Sequence, residues 1–347
     1  MKVFWSRQHA AHQPEFFIMR GIVRRHHERP ERVGVLLEAA RAAGLEDTEV
    51  EEVTVDERTR IVDRLIRIHD PAYVEFILEA HARWAQLPGA GPEIIPGIRA
   101  MPPSEAHPED IAGLSGRFLG DMASPIGAGT AEAALSAVKI AGAAASEIAC
   151  GARLAYALCR PPGHHAAQAV TGGGCYFSNI AAAIAVLRGQ APRVAVLDID
   201  AHHGNGTQSL FWERTDVLTV SVHADPANFY PFYWGYAHET GGAGAEGLNL
   251  NLPVPVGSVD GTWLDAVKTS CAQVRDFAPD VLVVALGQDP HEADLLGAMR
   301  VTNDGFARAG ALIAALGLPV LVVQEGGYLS PELGTATTGF LTALQAG

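Results

Sequence analysis

The sequence predicts an α/β protein built on a parallel sheet, and three observations carry that expectation. Short apolar runs rich in β-branched residues recur along the chain, and segments of helical periodicity lie between them. The runs are continuously apolar, as strands are when both faces of a sheet are covered. The 347 residues, 48% of them hydrophobic, suffice for the large core such a sheet needs. Strands alternating with helices read as βαβ units of a doubly wound fold.

In chain order, the predicted strands are KVFW (2–5), LAYAL (154–158), RVAVLDI (193–199), VLTVSV (217–222), VLVVAL (281–286) and PVLVVQ (319–324). The helical patterns are PERVGVLLEAARAAG (30–44), TAEAALSAVKIAGAAASEIA (130–149), TWLDAVKTSCAQVRDF (262–277) and DGFARAGALIAALG (304–317). Residues 87–129 break the pattern, with seven prolines among many glycines. This segment is expected to be a long irregular excursion that shapes a binding site, not a core element. Neither side of it reads as a complete fold, so a single domain over 1–347 with a loop insertion at about 87–129 is expected.

Composition narrows the function. The start, MKVFWSRQHA, lacks the apolar core of a secretion signal, and no apolar run approaches the roughly 18 residues of a membrane helix. Four scattered cysteines form neither a CxxC pair nor a disulfide framework. A cytoplasmic protein without membrane contact is the expectation. The net charge of −14 repels nucleic-acid phosphates and permits a cationic substrate.

Four predicted strands run into polar clusters at their carboxyl ends, where open α/β sheets bind ligands. ALCRPP leads to His164 and His165, and AVLDID to His202 and His203; VVALGQ leads to Asp289, and LVVQEGG to Tyr328. On a strand, residues two apart share a face, so Asp198, Asp200 and His202 point one way and His203 the other. Asp200 and His202 either pair with each other or ligate one divalent metal, with Asp289 arriving from a neighbouring strand. Three protein ligands and an open position suit a catalytic metal that works on water. Two adjacent imidazoles can then divide the proton transfers, with Asp198 and Asn205 as candidates to fix their tautomers. A phenol at Tyr328 can stabilise an oxyanion. There is no HExxH, no GxxxxGK[ST], no GxSxG and no GxGxxG after a strand.

With CRPPGHHA, LDIDAHHGNGTQ, LGQD and EGGY in this order, the chain resembles the zinc-dependent histone deacetylase superfamily, and within it the bacterial acetylpolyamine amidohydrolase branch. HERPERV (27–33), IHDPAYVEFI (68–77), SVHADP (221–226) and GYAHETGGAGAEG (235–247) extend the resemblance over nearly the whole chain. It implies the arginase–deacetylase fold and a single Zn2+ on Asp200, His202 and Asp289, a site type that also accepts Fe2+ or Co2+. It makes His164 the partner histidine oriented by Asp198, His165 the general base and acid oriented by Asn205, and Tyr328 the donor to the scissile amide oxygen. A structural K+ is implied at Asp198, Asp200, His202, Ser221 and the Val222 carbonyl. The substrate tunnel is implied at Gly174, Cys175 and Tyr230.

Some positions depart from the pattern. Gly173-Gly174-Cys175-Tyr176 lacks one aromatic wall, Tyr230 stands where Phe is usual, and Pro290 follows the metal aspartate. Ala112 replaces the glutamate that polyamine enzymes carry in this loop, leaving Glu105, Glu109 or Asp110 as substitutes. The expected substrate is a small cationic acetylamide such as an acetylpolyamine, handled by a homodimer formed through the loop insertion. A protein acetyl-lysine deacylase and a hydrolase of another small amide are the alternatives. A catalytically idle binding module fits poorly because every catalytic position carries a competent residue. A dinuclear manganese ureohydrolase would need more carboxylates.

Overall fold

The computed structural model describes residues 1–100, 106 and 108–347. Its centre is an eight-stranded sheet made of β1 (Lys2–Trp5), β4 (Glu46–Glu49), β5 (Leu154–Ala157), β6 (Val194–Asp198), β7 (Val217–Ala224), β8 (Asn249–Val254), β9 (Val281–Leu286) and β10 (Val320–Gln324). The order is β4-β1-β5-β10-β9-β6-β7-β8, and every neighbouring pair is parallel. The remaining strands, β2 (Phe16–Met19) and β3 (Ile22–Arg25), form a separate antiparallel hairpin. Its turn uses Arg20 and Gly21, both at positive φ, as a tight two-residue hairpin connection requires.

The continuous apolar runs bury both faces of the sheet, and alternate residues supply different cores. Leu282, Val284 and Leu286 of β9 pack on one side, while Val281, Val283 and Ala285 pack on the other. The first core is closed by α1 (Glu31–Ala42), α8 (Asp260–Phe277), α9 (Asn303–Ala314) and α10 (Leu333–Gln345). The second is closed by α5 (Thr130–Ala149) and α6 (Asn179–Leu187), whose alanines let the helices approach the strands closely.

The remaining α-helices are α2 (Val55–Leu65), α3 (Pro71–Trp84), α4 (Ile111–Phe118) and α7 (Asn205–Phe211). Thr54 and Glu57 close a capping box at the start of α2. Asp70 caps α3 by accepting from the amides of Ala72 and Tyr73. None of the described helices is long and apolar enough to cross a membrane.

The 87–129 segment corrects the expectation of an irregular excursion. Ile94 bridges Ile126, and α4 buries Ile111 and Phe118 against Tyr73, Phe76 and Ile77 of α3 in a third apolar core. Prolines bound these pieces without preventing them, because enough large apolar residues remain between them to bury against α3.

Candidate active site

The four polar clusters converge because their strands are the four central ones, in the order β5-β10-β9-β6. Asp198 is the last residue of β6, so Asp200 and His202 lie in the turn beyond the strand. Local hydrogen bonds set that turn: Asp198 Oδ1 accepts from the Asp200 amide (3.1 Å), and Asp200 Oδ1 accepts from the His202 amide (2.8 Å). His203 points away, to Asn251 at 3.1 Å and His223.

Asp200, His202 and Asp289 meet, with their candidate ligand atoms all within 4.8 Å of one another. His202 Nδ1 faces Asp200 Oδ1 at 3.1 Å and Asp289 Oδ2 at 2.9 Å. The outer carboxylate oxygens are held by backbone amides, Gly326 N on Asp200 Oδ2 (2.8 Å) and Ala201 N on Asp289 Oδ1 (2.7 Å). A side chain at Gly287 or Gly326 would collide with Asp200, so the close approach of neighbouring strand ends depends on these glycines. Burial, then the neighbouring Asp200 carboxylate, push Asp289 up to about 7. Two carboxylates buried this closely, with an imidazole nitrogen between them, fit a divalent cation that would relieve their repulsion.

The histidine pair sits beside this trio. His164 Nδ1 donates to Asp198 Oδ2 (2.9 Å) and His165 Nδ1 to Asn205 Oδ1 (2.7 Å). Burial pulls against the charged form of His164, but Asp198 and Asp200 outweigh it and raise the group to about 10. His165 has only an amide as partner, so burial, then His164 and His202, drive it well below the ordinary histidine range. The two imidazoles are thus pushed in opposite directions, His164 toward its charged form and His165 toward its neutral one. Glu325 sets the backbone of the pair, its Oε2 accepting from the amides of Gly163 (2.7 Å) and His164 (3.0 Å).

Tyr328 follows β10 through Gly326 and Gly327. Arg32 secures that turn, donating to Gly327 O (2.6 Å) and Glu325 O (2.8 Å) while its guanidinium lies 5.0 Å from the Tyr328 ring centre. Arg32 is itself held by Glu28 (2.7 Å), which also accepts from Arg160 (2.8 Å). All three are buried. Burial keeps the Tyr328 phenol protonated, hence a donor.

His165, His202 and Tyr328 line one cavity of about 360 Å³ together with Phe229 and Tyr230. The sequence expectation placed its wall at Gly174 and Cys175, and the structure corrects this. Gly173 lines the cavity, whereas the Gly174 amide donates to Ser124 and the Cys175 side chain is fully buried. Of the acidic residues expected to replace the loop glutamate, the described ones do not reach the cavity. Asp110 caps α4, Glu109 and Ala112 are exposed and line no part of the cavity, and Glu105 lies outside the described residues. Among the described lining residues the one carboxylate is Asp121, accepting from Gly173 N (2.9 Å) and Tyr230 Oη (2.7 Å). Sequence reading missed Asp121, Glu28, Arg32, Glu325 and the hairpin's Phe17, which also lines the cavity. For Glu28 and Arg32, the spacing in HERPER was a usable signal of a paired i, i+4 contact.

The positions expected around a monovalent cation are adjacent. Ser221 sits beside Asp198 across β6 and β7, Val222 follows in β7, and Ser221 Oγ bonds His223 Nδ1 at 2.8 Å. A small void of about 10 Å³ beside them is lined by Asp198, Ser221, His203 and Thr207 among apolar neighbours such as Val196 and Val220. His203 Nδ1 and Thr207 Oγ1 have no partner among the described residues. The space suits one ion or water.

The model of the histone deacetylase domain matches residues 26–344. The chain belongs to the histone deacetylase family. It is 40% identical over 329 residues to an acetylpolyamine amidohydrolase of Burkholderia pseudomallei, covering 94% of each chain. An acetylpolyamine amidohydrolase 2 of Pseudomonas aeruginosa is 36% identical over 349 residues, 99% of each. The crystal structure of an acetylpolyamine aminohydrolase from Burkholderia pseudomallei superposes with a TM-score of 0.93 at 38% identity, covering 100% of this chain and 99% of the other. This histone deacetylase relative is a deacetylase or amidohydrolase, a metal-dependent class.

Proposed function

We propose that the chain removes the acetyl group from a small cationic amine of the acetylpolyamine type, as a single-domain enzyme carrying one Zn2+. The observation that carries the reading is the cavity holding His165, His202 and Tyr328 at one place and the Asp121 carboxylate on its wall. The names of the relatives support the substrate class. Asp200, His202 and Asp289 would hold the metal, with Fe2+ or Co2+ as acceptable replacements. When bound, the ion supplies Lewis acidity toward the carbonyl and makes water a stronger acid.

The chain's own groups supply the rest. Tyr328 donates to the amide oxygen as negative charge develops there. Neutral His165, with Nδ1 committed to Asn205, has Nε2 free to take a proton from the attacking water. Water adds to the carbonyl carbon, the C–N bond breaks, and the same His165 returns the proton to the departing amine. Acetate and a protonated amine result. Cationic His164, tied to Asp198, contributes fixed positive charge beside that step. Asp121 faces the distal ammonium and favours a cationic substrate. A K+ beside Asp198 and Ser221 would brace the β6 turn, and a homodimer through the 87–129 segment would narrow the entrance.

The test compares acetate release by the zinc-loaded enzyme from N-acetylputrescine, N-acetylspermidine and an acetyl-lysine peptide. A preference for the polyamines and a loss of roughly 100-fold or more in Tyr328→Phe are expected. A preference for the peptide would refute the substrate class and leave a protein deacylase.

A further inference from the structure

Away from the catalytic cavity, a second and larger one of about 440 Å³ lies between α2, α6 and α7. The two share no lining residue. Five arginines line it: Arg60, Arg64, Arg67, Arg188 and Arg214. The concentration is notable in a chain of net charge −14 with 25 basic side chains in all.

Their pairing is incomplete. Asp216 accepts from Arg188 and, in a bidentate pair at 3.0 and 2.9 Å, from Arg214. Asp63 is the one carboxylate among the lining residues. Arg60, Arg64 and Arg67 have no ion pair among the described residues, and they follow one another at i, i+4 and i, i+3 on the stripe running out of α2. Like charges at such spacing weaken a helix. Against Asp63 and Asp216, the five guanidiniums leave a local excess of three positive charges. Burial, then Arg214, lower Arg188. The floor between the arginines is apolar, formed by Ile68, Ile184, Leu210 and Phe211.

Guanidinium forks match phosphate and carboxylate oxygens two at a time, and an apolar floor accepts a ring or aliphatic body. We infer that this groove binds a small organic polyanion whose phosphate or carboxylate groups engage Arg60, Arg64 and Arg67 while its apolar body lies on Ile184 and Phe211. The site is separate from the reaction centre and from any reading of the enzyme's substrate.

Calorimetric titration of the metal-loaded enzyme tests this. The probes are adenosine 3′,5′-bisphosphate, the uncharged adenosine, inorganic phosphate and a single-stranded oligonucleotide. The bisphosphate is expected to bind, with adenosine and phosphate each roughly tenfold weaker or more, and affinity is expected to fall as salt rises. In Arg60→Ala/Arg64→Ala, affinity should fall by roughly tenfold or more, with acetate release in the absence of the probe unchanged and the unliganded melting temperature no lower. Arg67→Gln, on the exposed turn after α2, gives the same comparison if the double variant does not fold. No binding at millimolar bisphosphate, or binding equally tight in the variants, overturns the proposal. A tighter hold on the oligonucleotide than on the bisphosphate overturns it too, and makes the groove a nucleic-acid surface.

Discussion

Replacing Asp121 with asparagine separates recognition of charge from the building of the cavity wall. The carboxylate accepts from Gly173 N and Tyr230 Oη through Oδ2, and from Ala123 N (2.9 Å) and Ser124 Oγ (3.2 Å) through Oδ1. Asparagine keeps the shape and one accepting oxygen but removes the formal charge. For an ammonium ~6 Å away at an effective dielectric of about 20, Coulomb attraction is worth roughly 3 kcal/mol, or about 100-fold. The assay is kcat/KM for N-acetylputrescine against its neutral counterpart N-butylacetamide, in wild type and variant. Disturbance of Gly173 and Tyr230 lowers both values together, whereas loss of the charge lowers only the first, so the ratio should collapse by roughly 100-fold. An equal loss for both substrates would show that Asp121 only holds the two walls, and would refute its role in recognising the ammonium.

Other outcomes follow from the same geometry. Gly173→Ala should abolish acetate release and lower the melting temperature by a few degrees, because its Cβ would run into the His165 ring and its φ is +53°. Full activity there would mean that the ring moves freely. Glu28→Gln strands two buried guanidiniums and should cost about 3–5 kcal/mol of stability in urea unfolding. Burial opposes the Glu28 charge, but Arg160 and Arg32 outweigh it and hold the group at about 2 against an ordinary 4.5. Its contribution is therefore complete above pH 4.5 and is lost as pH falls toward 2, a loss the glutamine variant should lack. Removing divalent ions with a chelator should abolish activity, and Zn2+ should restore it; retained activity would refute the metal assignment.

The sheet was legible in the sequence wherever burial on both faces made a strand continuously apolar. All six predicted strands are present within a residue or two of their expected bounds. Those missed carry other patterns. β4 reads EDTE on an exposed edge, where charge guards against stray pairing, and β8 reads NLNLPV at the opposite edge. The convergence of His164, His165, Asp200, His202, Asp289 and Tyr328 followed from their places at strand ends. Asp121 follows no strand and belongs to no periodic pattern, so only tertiary folding brings it to Tyr230. The one-residue error between Gly173 and Gly174 has a similar origin, since no sequence period governs an irregular loop.

The strand order also dictates when the site can exist. β10 is the last strand in the chain, yet it lies between β5 and β9, near the middle of the sheet. Until residues 320–324 leave the ribosome, the strand carrying the histidine pair and the strand leading to Asp289 have an open slot between them. Without β10 the sheet has no hydrogen-bonded link between β4-β1-β5 and β9-β6-β7-β8. Closing that slot and placing Glu325, Gly326 and Tyr328 are one step in this topology, so the sheet cannot be joined without also completing the site.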